Sequence, residues 1–127
     1  MPVNDKHVLF VYGTLKRACH NYPYLQRFTH RFLSEANLGK EYSLFVSFLP
    51  FLVQTPGDGA EGELFLVDKT TLDALDRLEG HPHNYKRTQV NVRTKEGKQV
   101  QAWAYIFQRE LPPGCRRVTN FKRDDLR

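Results

Sequence analysis

Apolar and polar positions follow one another along this chain in short blocks, mostly with the two-residue or uninterrupted pattern of strands. Val8-Leu9-Phe10-Val11-Tyr12 is an apolar run rich in β-branched and aromatic residues. It predicts a buried strand over about residues 7–12, ending abruptly at Gly13-Thr14. Phe32 to Leu38 predicts a second strand, and Glu61 to Val67 another, after the turn residues from Thr55 to Ala60. Between them Tyr42 to Gln54 is strongly aromatic, but Pro50 forbids one continuous central strand. That stretch reads as a strand, a bend and an apolar segment able to wall a pocket. Tyr85 to Arg93 and Gln99 to Phe107 flank Lys95-Glu96-Gly97-Lys98 as a hairpin.

Two places change to a helical period. Asn21 is placed to cap a short helix with Pro23 in its first turn. Asp68 is placed to cap a helix over Lys69 to Glu79, with Gly80 just past its end and Pro82 beyond. Some six strands and one or two short helices, without regular alternation, predict an α+β fold: a mixed, mainly antiparallel sheet curled toward a barrel. The 127 residues suit a single domain over 1–127, with Pro112-Pro113-Gly114 closing it and a polar tail from about residue 112.

Composition narrows the class. With 40% apolar and 13% aromatic residues the chain has material for a core, and no apolar run approaches a membrane span. The first residues lack the apolar core of a signal peptide, so a soluble cytoplasmic protein is expected. The cysteines, Cys19 and Cys115, lack metal-ligand spacing and imply no disulfide framework. Cys19 reads either as a nucleophilic thiol close to the Gly13 turn or as a small apolar side chain. No spacing among His20, His30, His81 and His83 makes a convincing metal site; His81 and His83 are surface-loop residues or modulators of the neighbouring Glu79. The net charge of +5 is concentrated near the ends, in Arg116-Arg117 and Lys122-Arg123, with Asp124-Asp125 beside it. No nucleic-acid-binding pattern accompanies it, so it reads as a solvated surface whose field favours a small anionic substrate.

Two short stretches carry candidate chemistry. Gly13 lets the backbone turn where a side chain would clash, which frees the amides of Thr14 and Leu15 for an anion or oxyanion; the same residues also close ordinary strand turns. On the second helix Leu72, Leu75 and Glu79 share one stripe, while Asp73, Asp76 and Arg77 take more polar positions. An acid on the core face, in the last turn, meets the negative end of the helix dipole and partial burial, and both raise its pKa. Glu79 is therefore either a proton acceptor near neutral pH or a helix-end residue that frays to water or pairs with Lys86 or Arg87.

Phe10-Val11-Tyr12-Gly13-Thr14-Leu15-Lys16-Arg17, Glu61 to Asp68, and Leu75-Asp76-Arg77-Leu78-Glu79-Gly80 followed by Tyr85-Lys86-Arg87-Thr88 together resemble the γ-glutamylcyclotransferase-like superfamily. The similarity is to its γ-glutamylamine cyclotransferase (AIG2-like) branch and covers roughly residues 7–107. It implies a barrel-like domain with one cavity and a lyase reaction that needs neither cofactor nor metal. In that reaction the substrate's α-amine attacks its own γ-carbonyl, releasing 5-oxoproline and a free amine. The substrate in this branch is L-γ-glutamyl-L-ε-lysine, left by breakdown of isopeptide-crosslinked proteins. Carried over by position, the catalytic acid is Glu79, and Tyr12, Gly13, Thr14 and Leu15 form the substrate-binding turn.

The chain departs from the family pattern in two places: Ala18 stands where a glycine is often found, and Phe48-Leu49-Pro50-Phe51-Leu52 is unusually aromatic. A small γ-glutamyl amide is the expected partner, with no nucleic acid and no membrane. Other γ-glutamyl amides, or a non-enzymatic binding module on the same fold, are the alternative readings. Tyr85 and Tyr105 either line the cavity through their hydroxyls or sit in the core with those hydroxyls satisfied.

Overall fold

A computed structural model describes residues 5–122. Eight strands and two short helices run in the order β1 (His7–Val11), α1 (Tyr22–Leu25), β2 (His30–Leu38), β3 (Ser43–Val46), β4 (Pro50–Val53), β5 (Ala60–Val67), α2 (Lys69–Glu79), β6 (Tyr85–Thr94), β7 (Gln99–Phe107) and β8 (Arg116–Val118). Five strands close a barrel in the order β1-β5-β2-β6-β7, and β4-β3-β8 form a separate small sheet. Neighbours in the barrel are antiparallel except where β1 meets β7 in parallel, Leu9 opposite Trp103. The expected α+β class and barrel-like sheet are therefore what the chain forms.

The alternation of β1 explains its place. Leu9 and Val11 join one apolar cluster with Phe65, Leu72, Leu75 and Tyr105, while Phe10 joins the other with Leu38, Leu64, Val90, Val92 and Ile106. A strand buried on both faces needs no polar alternation, which is why its sequence is an unbroken apolar run. Leu72 and Leu75 of α2 are almost wholly buried, and each such leucine contributes about 2 kcal/mol of apolar transfer energy that docks the helix.

The boundaries follow local chemistry. Asp68 caps α2 by accepting from the Thr71 amide at 2.9 Å and the Thr71 hydroxyl at 2.7 Å. Gly80 ends it in the left-handed conformation, φ 68°. Asn21 occupies the capping position of α1 but makes no side-chain cap bond. Pro50 begins β4, at the edge of the small sheet, where its missing N–H costs no ladder bond.

One expectation fails. The segment from about residue 112, read as a polar tail, is built into the fold: β8 pairs with β3 and Phe121 is almost wholly buried. The buried Lys16 ammonium donates to Asn120 Oδ1 at 2.7 Å and to the Phe121 carbonyl at 2.6 Å. One aromatic among charged residues was too weak a periodic signal, and its partners lie near the other end of the sequence. Arg123, Asp124 and Asp125 lie outside the described residues.

Ala18 adopts φ 68°, the left-handed region that explains why a glycine suits this turn. The Cβ strain is about 1–2 kcal/mol, and glycine returns part of it as unfolded-chain entropy. Ala18→Gly is expected to stabilise the protein by about 0.5–1 kcal/mol in denaturant unfolding; a loss of stability would contradict this account of the turn.

Candidate active site

The chain leaves β1 at Tyr12 and turns sharply. A Cβ on Gly13 would lie 2.6 Å from Pro50 Cγ, so only glycine lets the turn pass this close to β4. The Lys16 amide donates to the Gly13 carbonyl, and the Asn21 amide to that of Thr14, both at 3.0 Å. Asn21 Nδ2 donates to Thr14 Oγ1 at 2.9 Å, and the Arg17 amide to Glu63 Oε1 at 2.9 Å. Fixed from these sides, the turn leaves the amides of Thr14 and Leu15 without a protein acceptor among the described residues. Two adjacent amides without acceptors suit an anion.

Glu79 reaches the same place from α2. A cavity of about 290 Å³ is lined by the five residues expected there, Tyr12, Gly13, Thr14, Leu15 and Glu79. Tyr85 and Tyr105 add their rings, Asn21 and Asn84 add polar groups, and Leu49, Pro50 and Leu78 add apolar surface. Leu15 differs from its neighbours, since its side chain packs in the core with Leu25 and Phe51. Cys19 is buried in the other apolar cluster and does not line the cavity.

The carboxylate of Glu79 makes no hydrogen bond or ion pair among the described residues. Burial in the cavity raises its pKa from 4.5 to about 7. The alternative pairing does not form. Arg87 instead holds Asp76 in a two-pronged contact, 2.8 Å to Oδ1 and 3.1 Å to Oδ2, while Lys86 points outward on an exposed position.

Asp76 is a second correction. Its place among the polar positions of α2 predicted a solvent-facing side chain, yet it is half-buried against β6 and β7. Tyr105 donates to Asp76 Oδ1 at 2.7 Å, and the Arg87 guanidinium that binds it also lies 4.5 Å from the Trp103 ring centre. Burial pushes the Asp76 carboxyl up, but the hydrogen bonds from Arg87 and Tyr105 outweigh it and hold the pKa below the ordinary value. Helical periodicity could not reveal this, because the compensating cation and phenol come from other elements. His81 is also engaged, its Nδ1 accepting from the Arg87 amide at 2.9 Å.

The tyrosines both line the cavity and have satisfied hydroxyls. Tyr85 donates to the Pro50 carbonyl at 2.9 Å and Tyr12 to the Tyr105 carbonyl at 2.6 Å. Burial, first of all, raises all three phenol pKa values, so these groups stay neutral across the physiological range.

The cavity thus sets one uncompensated acid opposite a glycine turn, in a volume of small-molecule size. The family model for gamma-glutamyl cyclotransferase, AIG2-like, matches residues 9–123, and the chain belongs to that family. A Rattus norvegicus relative named gamma-glutamylaminecyclotransferase is 33% identical over 112 residues, covering 76% of this chain and 75% of its own. A Methanocaldococcus jannaschii relative, provisionally named a gamma-glutamylcyclotransferase, is 34% identical over 109 residues, 84% of this chain and 86% of its own. The crystal structure of an AIG2-like protein from Mus musculus superposes with a TM-score of 0.86 at 26% identity, over 94% of this chain and 90% of that one.

The raised carboxyl has a stability consequence independent of any reaction. The folded state holds the Glu79 proton up to about pH 7 while the unfolded chain releases it near 4.5, so stability is lost as pH rises between these values. Glu79→Gln removes that loss. Its melting temperature is expected to exceed that of the unaltered protein at pH 8, with the gain shrinking toward pH 4. A gain independent of pH would show that Glu79 is not raised.

Proposed function

We propose that this protein is a γ-glutamylamine cyclotransferase that converts L-γ-glutamyl-L-ε-lysine into 5-oxo-L-proline and lysine. The observation that carries the reading is a carboxyl raised to about 7, sharing a cavity with two backbone amides, none of the three groups having a hydrogen-bond partner among the described residues. The nucleophile belongs to the substrate, so the site supplies a base, donors and shape. Glu79 takes a proton from the α-ammonium, and the freed nitrogen attacks the γ-carbonyl carbon. The bond from that carbon to the lysine Nε then breaks as the departing nitrogen is protonated. The α-nitrogen keeps one hydrogen in the ring, and the two protons it sheds end on the departing amine. The amides of Thr14 and Leu15 bind the α-carboxylate or the oxyanion, and a cavity that folds the glutamyl chain supplies the proximity of an intramolecular reaction.

The leaving side favours an amine over an α-amino acid. Leu49 and Leu78 line the cavity and are 38% and 46% exposed, and Glu79 is the one charged residue among the described residues lining it. A γ-glutamyl-α-amino acid would set a carboxylate beside the scissile nitrogen, against this apolar surface and without a cation. An ε-linked lysine places four methylenes there and carries its charged end toward water. Cyclotransferase activity on other γ-glutamyl amides is the second reading, supported by the name of the archaeal relative.

Purified protein is expected to release lysine and 5-oxoproline from γ-glutamyl-ε-lysine, much faster than it turns over γ-glutamyl-alanine. Turnover should rise with pH through about 7 as Glu79 ionises, and Glu79→Gln should lose several orders of magnitude. No release from the lysine substrate overturns the amine assignment, and equal rates for Glu79→Gln remove Glu79 from the base role.

A further inference from the structure

Three phenols surround Glu79, and none donates to it. Tyr12, which follows β1, Tyr85 on β6 and Tyr105 on β7 line its cavity, and the charge of Glu79 helps to raise the pKa of all three. Two of them give their protons to main-chain carbonyls, Tyr12 to Tyr105 and Tyr85 to Pro50, acceptors fixed by strands β7 and β4. The third acceptor is a side chain: Tyr105 donates to Asp76 Oδ1 at 2.7 Å, while its approach to the Leu72 carbonyl is long, 3.5 Å. Asp76 is held in turn by both prongs of Arg87, whose guanidinium lies over Trp103.

Building on the base role proposed above, we infer that Asp76 is a positioning residue that keeps Glu79 proton-accepting by holding the hydroxyl proton of Tyr105 away from it. Asp76 and Glu79 stand three residues apart on α2, which makes their side chains neighbours on one helix face. Tyr105 also lines the cavity, so a hydroxyl released from Asp76 shares that space with Glu79, the one carboxylate among the described lining residues. A phenol donating to the ionised carboxylate would stabilise that form and weaken it as a base. Asp76 competes successfully because two cationic prongs fix it in its ionised state. Arg87 matters in a second way, since it balances the negative charge that Asp76 would otherwise add beside Glu79. The other charged or titratable groups acting on Asp76 and Arg87 are His81 and Asp73.

The test is a carboxyl 13C titration of Glu79 in the full chain without substrate, the resonance identified by its loss in Glu79→Gln. The unaltered protein is expected to titrate near 7, and Tyr105→Phe as well, because the hydroxyl it removes does not touch Glu79. Asp76→Ala frees that hydroxyl, and the midpoint is expected to fall by about one pH unit. Combining Asp76→Ala with Tyr105→Phe should bring it back near 7, which a merely structural role for Asp76 would not do. If Asp76→Ala does not fold, the isosteric Asp76→Asn, a weaker acceptor, should shift in the same direction and be reversed by Tyr105→Phe. A midpoint unmoved by loss of the Asp76 carboxylate overturns the proposal. So does a midpoint that stays low in the double variant, since the unbalanced charge of Arg87 would then be the cause. The titration needs no turnover, so it stands apart from the base role: full activity of Glu79→Gln would remove that role without altering these midpoints.

Discussion

The half-buried ion pair between Asp76 and Arg87 is the contact on which the geometry of the cavity depends. It ties the last turns of α2 to β6, and through the Tyr105 hydroxyl to β7, at the point where Glu79 must face inward. Apolar packing of Leu72 and Leu75 docks the helix, and the bonds to Asp76 add directional contacts near its C-terminal end. Burial of an ion pair carries a desolvation cost, which two guanidinium contacts and a phenol donor offset here. Glu79 receives no such compensation, and its pKa moves instead.

The opposite wall of the cavity is held by a different logic. Besides the packing of Leu15, the Gly13 turn is stitched by hydrogen bonds to Asn21, to Glu63 on β5, and through Lys16 to the C-terminal segment. Those bonds use carbonyls and side chains of the turn and the Arg17 amide, and leave the Thr14 and Leu15 amides without acceptors among the described residues. One wall thus offers an acceptor of protons and the other offers donors. That pairing is what cyclisation of a γ-glutamyl amide requires, without a nucleophile from the protein.

Much of this was legible beforehand because it is local. The apolar run of β1, the cap at Asp68, the stop at Gly80 and the misplaced acid at Glu79 each rest on neighbours within a turn or a strand. Their combination also carried the family resemblance that the comparisons bear out. The small sheet was half visible, since Pro50 divided it correctly, but its third strand was not. β8 is three residues long and finds its partner in β3, so no periodicity could announce it.

What the sequence determined by itself was most of the elements, the barrel-like class and the two stretches where chemistry is concentrated, because hydrophobic period, caps and glycine turns act over a few residues. Tertiary structure alone decided which polar groups are satisfied. Asp76 and Glu79 look alike as acids near a helix end. One meets Arg87 and Tyr105 and stays ionised, whereas the other meets phenols whose protons are committed elsewhere and becomes a neutral-pH acid. That difference lies in directional contacts between α2, β6 and β7, and contacts across the chain leave no periodic trace in it.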